Sequence, residues 1–140
     1  MEDCTFCKIV RKEIPASIIV EDSFVTAFMD INPITWGHCL VVPTSHATGL
    51  QDLDYAGVEM FRTAQSLGTA LRKYNDKIQG ITLYLADGKA AGQEVMHVHL
   101  HVIPRFENDG FRMRRPPKIE YGPHALEVDA ELIRKNLSLY

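Results

Sequence analysis

Three histidines alternate with apolar residues in the segment His97–Arg105, and this alternation constrains the fold more than any other feature of the sequence. In an extended strand successive side chains point to opposite faces, so His97, His99 and His101 share one face and the apolar residues share the other. Neighbouring side chains on one face lie about 6 to 7 Å apart along a strand. The sequence therefore predicts a strand with a core-facing side and a histidine side that serves one phosphate or one metal ion.

A loop of small residues, 87–93, comes directly before the histidines. Its glycines, Gly88 and Gly92, allow backbone N–H groups to approach an anion closely. On its own such a loop is typical of an ordinary hairpin turn. Its place beside the histidines makes it a candidate phosphate-binding loop.

Short apolar runs separated by turn residues indicate the order of the remaining elements. We predict a short helix over 6–12, a last helix over 129–136, and strands over 17–21, 24–29, 38–42, 81–85 and 95–103. A long helix capped by Asp52 or Asp54 lies between the third and fourth strands. Six of its residues recur at the spacing of one core-facing side: Met60, Phe61, Ala64, Leu67, Leu71 and Tyr74. This order indicates an α+β fold with a mainly antiparallel sheet.

Length and charge restrict the class of protein. The chain has 140 residues, 46% of them hydrophobic, and we predict a single domain with one sizeable core over residues 1–140. A net charge of −3 and the lack of a basic arm favour a small-molecule substrate over nucleic acid. Acids at Glu2 and Asp3 and the lack of a long apolar run predict neither a signal peptide nor a membrane partner.

The three cysteines include a Cys4-x-x-Cys7 pair. An odd number of cysteines suits a reducing compartment better than a disulfide framework, so we expect a cytoplasmic protein. A redox pair is expected where a strand opens into a helix, and no strand is predicted before Cys4. Metal binding is therefore favoured over redox chemistry, and a closed zinc site would need two more ligands. Two unliganded thiols are the alternative.

Together these blocks resemble the bacterial-type members of the histidine triad (HIT) family of nucleotide-binding hydrolases. The resemblance runs from Cys4 to about Arg105 and includes two further blocks, Phe28–Pro33 and Gly37–Pro43. It implies a HIT-like fold with a mainly antiparallel five-stranded sheet, one long helix and a short C-terminal helix in a tail over 106–140. It also implies a homodimer formed through the long helix and a neighbouring strand.

The resemblance implies a nucleotidyl hydrolase that works through a covalent nucleotidyl-histidine intermediate. Its substrates would be purine nucleoside 5′-phosphoramidates or related conjugates such as adenylates and dinucleoside polyphosphates. A neutral imidazole can attack phosphorus, and His99 would be this nucleophile, with its tautomer held by the carbonyl of His97. His101 would donate a hydrogen bond to the phosphate. A third histidine in place of glutamine argues against the nucleotidyltransferase branch.

The binding residues are also implied by the resemblance. Asp30 would accept hydrogen bonds from both ribose hydroxyls. The nucleoside wall and the phosphate contacts would be made by Phe6, Ile9, Phe28, Ile31, Gly92, Gln93 and Glu94. A structural zinc ion would be held by Cys4, Cys7, His46 and His97. His38 would either relay protons near the triad or be a satisfied structural histidine.

Two departures from the family pattern keep other functions open. Ala86 stands where similar hydrolases have asparagine, and Glu94 stands where some have serine. A nucleotide- or zinc-binding regulatory protein with little turnover is therefore the second hypothesis. In a third, all three histidines of the motif bind a catalytic zinc, although strand spacing places the third ligand far from the ion. We interpret the basic residues over 112–115 as part of a solvated segment.

Overall fold

Five antiparallel strands form one sheet in the computed structural model, which describes residues 3–139. The strands are β1 (Ile18–Glu21), β2 (Val25–Met29), β3 (Cys39–Pro43), β4 (Gly80–Leu85) and β5 (Leu100–Arg105). The helices are α1 (Thr5–Val10), α2 (Tyr55–Tyr74) and α3 (Ala125–Asn136), with 3-10 turns at Leu50–Asp52 and Lys89–Ala91. The strand order is β1-β2-β3-β5-β4, and every neighbouring pair is antiparallel. The predicted α+β class and five-stranded sheet are confirmed.

The histidine segment forms less strand than its pattern predicts. β5 begins at Leu100 rather than at residue 95, so His97 and His99 precede the strand and only His101 lies within it. The partner strand explains this difference, because the Pro43 carbonyl at its end is bound by the side chain of His97 at 2.9 Å. A proline also offers no N–H to a ladder. The sheet hydrogen bonds therefore stop before they reach the first two histidines.

One face of the sheet is covered by α2. Asp54 caps this helix by accepting a hydrogen bond from the backbone N–H of Ala56 at 2.8 Å. The core between helix and sheet contains Met60, Ala64, Leu67, Val25, Ala27, Cys39, Val41 and Val102. Phe61 and Tyr74 were predicted to face this core, but they are 54% and 78% exposed. The surface of α2 that packs on the sheet is narrower than the residue spacing predicted, and Phe61 and Tyr74 lie outside it.

The opposite face of the sheet carries α1. Successive strand residues point to opposite faces, so the neighbours of the α2 core residues, Phe28 on β2 and Leu40 and Val42 on β3, point towards α1. Phe6 and Ile9 of α1 complete this second buried cluster. Phe6, Ile9 and Phe28, three of the candidate nucleoside residues, therefore lie on this side of the sheet.

The chain beyond β5 is the part least tied to the sheet. α3 begins at Ala125, before the predicted residue 129, and none of its side chains is buried. Across residues 3–139, no helix combines the length and apolar character that a bilayer crossing requires.

Candidate active site and metal centre

Four side chains from three parts of the chain converge beside α1. Their ligand atoms lie within 4.8 Å of one another, and they are Cys4, Cys7, His46 and His97. Cys4 is the N-cap of α1, and a helical turn brings Cys7 to the same side. The sulfur of Cys7 lies 3.2 Å from Nδ1 of His46 and 3.5 Å from Nδ1 of His97. Two thiols and two imidazoles are a donor set of closed tetrahedral zinc sites, so these residues fit a metal ion.

A backbone carbonyl fixes the tautomer of His97 in the form that a metal ligand needs. Nε2 lies 2.9 Å from the Pro43 carbonyl, which can only accept, so Nε2 carries the proton and Nδ1 keeps a lone pair. That Nδ1 faces the sulfur of Cys4 at 3.4 Å. Metal-binding histidines commonly donate their second N–H in this way. Burial lowers the pKa of His97, which also favours the neutral ring.

His99 is held by a similar contact, with the two ring nitrogens in exchanged roles. Its Nδ1 lies 2.8 Å from the carbonyl of His97, so Nδ1 donates and Nε2 keeps the lone pair. The ring is buried and meets Phe6 edge-on, with 5.1 Å between the ring centres. The hydrogen bond that the family resemblance implies between His99 and the His97 carbonyl is present. An imidazole with a free Nε2 is able to act as a nucleophile.

A backbone donor sets the tautomers of a second pair of imidazoles. The N–H of Ile34 donates to Nδ1 of His38 at 3.0 Å, which places the His38 proton on Nε2. This Nε2 lies 2.9 Å from Nδ1 of His101, so His101 carries its own proton on Nε2. Burial lowers the pKa of His38 and lowers that of His101 to about 4, so both rings are neutral at pH 7. His101 thus keeps an N–H donor beside His99, with 5.0 Å between the ring centres.

Asp30, His38 and His101 also lie close enough together to hold a metal ion. Oδ2 of Asp30 is 3.5 Å from Nε2 of His38. However, the Ile34 N–H already takes the Nδ1 lone pair of His38, so ligation through Nε2 would require an imidazolate anion. In His97 the Pro43 carbonyl accepts from Nε2–H instead, which leaves the Nδ1 lone pair free for a metal ion. This second cluster is therefore a chain of hydrogen bonds, whereas the Cys4 cluster suits a metal.

The three histidines of the motif do not serve one ion. His97 faces the cysteines, His101 pairs with His38, and His99 lies between the two groups. Phe6 contacts the rings of both His97 and His99, at 5.9 and 5.1 Å between ring centres. Neither of the two clusters found among residues 3–139 contains His99. The prediction that the three histidines share one metal ion is corrected, and the catalytic-zinc hypothesis loses its three-histidine site.

The residues expected to form a nucleoside wall are only partly together. Phe6, Ile9 and Phe28 form a buried apolar group beside His99, with 5.4 Å between the two phenyl centres. Ile31 does not join them, since it is 88% exposed in the bend after β2. Asp30 accepts a hydrogen bond from the N–H of Asn32 through Oδ1 at 2.8 Å. This carboxylate therefore caps the turn, and Oδ2 faces His38.

The loop before the histidines is held by the buried side chain of Gln93. Its amide donates to the carbonyls of Thr48 at 2.7 Å and Val95 at 3.0 Å, and its oxygen accepts from Gly88 at 2.8 Å. Both amide protons are thus engaged, so the expectation that Gln93 donates to a phosphate is corrected to a positioning role. Gly88 and Gly92 have φ angles of +87° and +90°, which glycine adopts without strain.

Glu94 is exposed and lies towards the metal cluster. With Asp3, Cys4 and His46 it lines a cavity of about 420 Å³. Ala86 is buried and offers no polar side chain. The backbone groups that bind His38 and His97, the N–H of Ile34 and the carbonyl of Pro43, were not predicted. Nearly every residue has these backbone groups, so the residue type does not indicate which of them will bind a side chain.

Comparison with known proteins gives one family. Residues 11–108 match the model of the HIT domain. An uncharacterized HIT-like protein of Borreliella burgdorferi is 47% identical over 121 residues, which cover 85% of this chain and 87% of that protein. Adenosine 5′-monophosphoramidase HNT1 of Saccharomyces cerevisiae is 37% identical over 103 residues, which cover 73% of this chain and 62% of that protein.

Solved structures give the same result. A HIT family protein from Bacillus anthracis has a TM-score of 0.91 at 32% identity, covering 98% of this chain and 99% of that one. A zinc-bound histidine triad family protein from Mycobacterium smegmatis has a TM-score of 0.75 at 34% identity, covering 97% and 99% of the two chains.

Proposed function

Since the chain belongs to the HIT domain family, we propose that it hydrolyses purine nucleoside 5′-phosphoramidates or related nucleotidyl conjugates, such as adenylates and dinucleoside polyphosphates. His99 is the nucleophile in this proposal. The observation that carries it is the hydrogen bond from Nδ1 of His99 to the His97 carbonyl, because this bond frees Nε2 for attack. The similarity to an adenosine 5′-monophosphoramidase supports the substrate class.

In the first step Nε2 of His99 attacks the α-phosphorus. A phosphorus–nitrogen bond forms to the imidazole, and the bond from phosphorus to the leaving amine breaks as the amine takes a proton from water. The Nε2–H of His101 donates to the phosphate oxygen on which charge develops. Water then attacks the nucleotidyl-histidine, releases the nucleoside monophosphate and restores His99.

His38 and Gln93 act as positioning residues in this mechanism. The fixed N–H of Ile34 keeps His38 as a donor, and His38 in turn keeps the His101 proton on the nitrogen that faces away from it. Gln93 holds the loop whose backbone at Gly92 and Glu94 lies beside the phosphate. Asp30 binds the ribose hydroxyls, and Phe6, Ile9 and Phe28 contact the base.

We propose that zinc is the ion at Cys4, Cys7, His46 and His97, with a structural role. When bound, it joins α1 to the segment whose backbone carbonyl orients His99. The zinc-bound M. smegmatis protein supports this assignment. The ion takes no part in the reaction, because the nucleophile and the phosphate donor lie outside its ligand set.

The same proposal covers assembly and location. We propose a single domain over residues 1–140 that forms a cytoplasmic homodimer and binds neither nucleic acid nor membrane. Exposed apolar side chains on the two elements named for the interface, Val58 and Phe61 on α2 and Leu83 on β4, support the dimer.

Release of AMP from adenosine 5′-phosphoramidate tests the function. We expect release by the wild type, none by His99→Ala, and wild-type release by His124→Asn, which changes an exposed histidine in the tail. Asparagine suits the positive φ of 65° at position 124. Equal release by His99→Ala would refute the mechanism.

One observation supports the alternative of a nucleotide- or zinc-binding regulatory protein with little turnover. Buried Ala86 offers no polar side chain where similar hydrolases have asparagine. Nucleotide binding measured by calorimetry, without AMP release from any of the three substrate classes, would establish that alternative. Ala86→Asn is the matched variant, and a gain of release in it would identify the missing contact.

A further inference from the structure

The three cysteines of the chain lie on two sides of the sheet. Cys39 on β3 is 1% exposed and belongs to the core between the sheet and α2. Cys4 and Cys7 lie at the start of α1, which covers the opposite face. Successive strand residues point to opposite faces, so the sheet separates the Cys39 thiol from the other two. Within one chain, Cys4 and Cys7 are therefore the two thiols that can react with each other.

Cys4 is the more accessible thiol of this pair. It is half-buried and lines, together with Asp3, His46 and Glu94, the cavity of about 420 Å³. Cys7 is only 7% exposed. Hydrogen peroxide is a neutral molecule little larger than water, so a cavity of this volume admits it. A peroxide molecule that enters the cavity meets the sulfur of Cys4 first.

The sulfur atoms of Cys4 and Cys7 are already close together. Cys4 is the N-cap of α1, and its Sγ accepts a hydrogen bond from the backbone N–H of Cys7 at 3.4 Å. The two sulfurs lie within 4.8 Å of each other, and a disulfide bond holds them about 2.0 Å apart. Side chains three residues apart on a helix are neighbours, so the sulfurs can meet without any change in the sheet. The pair is thus placed for a disulfide within one helical turn.

We propose that Cys4 and Cys7 are a peroxide-reactive pair, and that their oxidation to a disulfide removes two of the four ligands of the metal site. Both thiols are deprotonated as metal ligands. The Cys4 sulfur attacks one oxygen of the peroxide, which forms an S–O bond and breaks the O–O bond. The Cys7 sulfur then attacks the Cys4 sulfur, which forms the S–S bond and breaks the S–O bond. Two electrons pass from the thiolates to the peroxide, and the two hydroxide ions released take two protons from the solvent to become water.

Loss of the two thiolates leaves His46 and His97 as ligands. Closed zinc sites use four ligands, so two imidazoles hold the ion far more weakly and it dissociates. The link between α1 and the segment before β5 ends with this release. Phe6 stands between the two cysteines in the sequence and contacts the rings of both His97 and His99, so the oxidised pair lies beside the proposed nucleophile. The inference rests on the metal site proposed above and not on hydrolase activity.

The test uses the full-length protein, which is reduced, loaded with one equivalent of zinc and then treated with hydrogen peroxide. A chromogenic zinc indicator follows the released metal, and intact mass spectrometry with peptide mapping follows the thiols. Cys39→Ala is the matched control, because it removes the thiol that lies on the other side of the sheet. Cys4→Asp removes the reactive sulfur but keeps a helix N-cap and supplies an oxygen ligand for zinc.

We expect wild type and Cys39→Ala to release one zinc ion for each disulfide formed between Cys4 and Cys7, with a mass loss of about 2 Da, and to bind zinc again after treatment with a dithiol. Cys4→Asp should form no disulfide and release zinc at least about tenfold more slowly. Release from Cys4→Asp at the wild-type rate, zinc retained by fully oxidised wild type, or oxidation to sulfinic acid without a disulfide would overturn the inference. A reduced wild type that binds no zinc would overturn the metal assignment as well, and the zinc content measured before peroxide is added separates the two failures.

Discussion

Replacing His101 by glutamine tests whether the fold keeps this imidazole neutral. In the folded protein burial lowers the pKa of His101 from 6.5 to about 4, with smaller contributions from His99 and His38. The unfolded chain therefore binds a proton at a higher pH than the folded chain does. Stability is complete above the unfolded pKa and is lost as the pH falls from 6.5 towards 4.

The magnitude follows from the two pKa values. Each unit of difference corresponds to about 1.4 kcal/mol, so between pH 7 and pH 5 this one group should lower the free energy of unfolding by about 2 kcal/mol. Glutamine keeps an N–H donor but does not titrate in this range. The wild type should therefore lose about 2 kcal/mol more than His101→Gln over the same interval.

Urea denaturation followed by far-UV circular dichroism is the suitable assay. The single tryptophan, Trp36, is 85% exposed in the folded protein, so its fluorescence would report unfolding poorly. Staying above pH 5 avoids most of the titration of carboxylates such as Asp109, which ionise at lower pH. A fixed protein and zinc concentration keeps dimer and metal contributions equal. Parallel pH profiles for wild type and His101→Gln would refute the argument that the site holds His101 neutral.

Three further outcomes test the rest of the site. His38→Ala leaves the N–H of Ile34 without its acceptor, so urea denaturation should show a loss of about 1–3 kcal/mol, and kcat for AMP release should fall with little change in KM. An unchanged kcat would show that His38 does not position His101. Gln93→Leu removes three hydrogen bonds, and hydrogen exchange of residues 87–93 should become faster; unchanged exchange would contradict its positioning role. A chelator should lower the Tm of the wild type, and added zinc should restore it. The Tm of Cys7→Ala should not change on chelation, because this variant lacks one of the four ligands. An equal Tm shift in both proteins would exclude the four-residue site.

Much of the fold could be predicted because it depends on local patterns. Short apolar runs over 38–42 and 81–85 indicated strands that the structure contains, and Asp54 capped the long helix as one of the two predicted candidates. The errors came from partners that the local pattern does not show. Phe61 followed the helical spacing, but the sheet contacts only a narrow side of α2. His97 fits the alternation of a strand, but its ring binds the Pro43 carbonyl and the residue precedes β5.

The sequence by itself determined which chemical groups are present and how they are spaced. Imidazole side chains at alternate positions, a pair of thiols three residues apart and glycines in the preceding loop can be recognised without coordinates, and they carried the family resemblance. Helical and strand periodicity determined the class of fold as well, because both depend on residues near one another in the chain.

The tertiary structure decided which ring nitrogen carries the proton in His97 and in His38. The Pro43 carbonyl of β3 accepts a hydrogen bond from Nε2–H of His97, so the lone pair on Nδ1 faces the cysteines. The N–H of Ile34, in the bend after β2, donates instead to Nδ1 of His38, so Nε2 of that ring is a donor. The physical reason is that a neutral imidazole has one donor and one acceptor, so the first backbone group it meets assigns both nitrogens. Those backbone groups are identical in every residue except proline, and only the fold brings them to one ring rather than another.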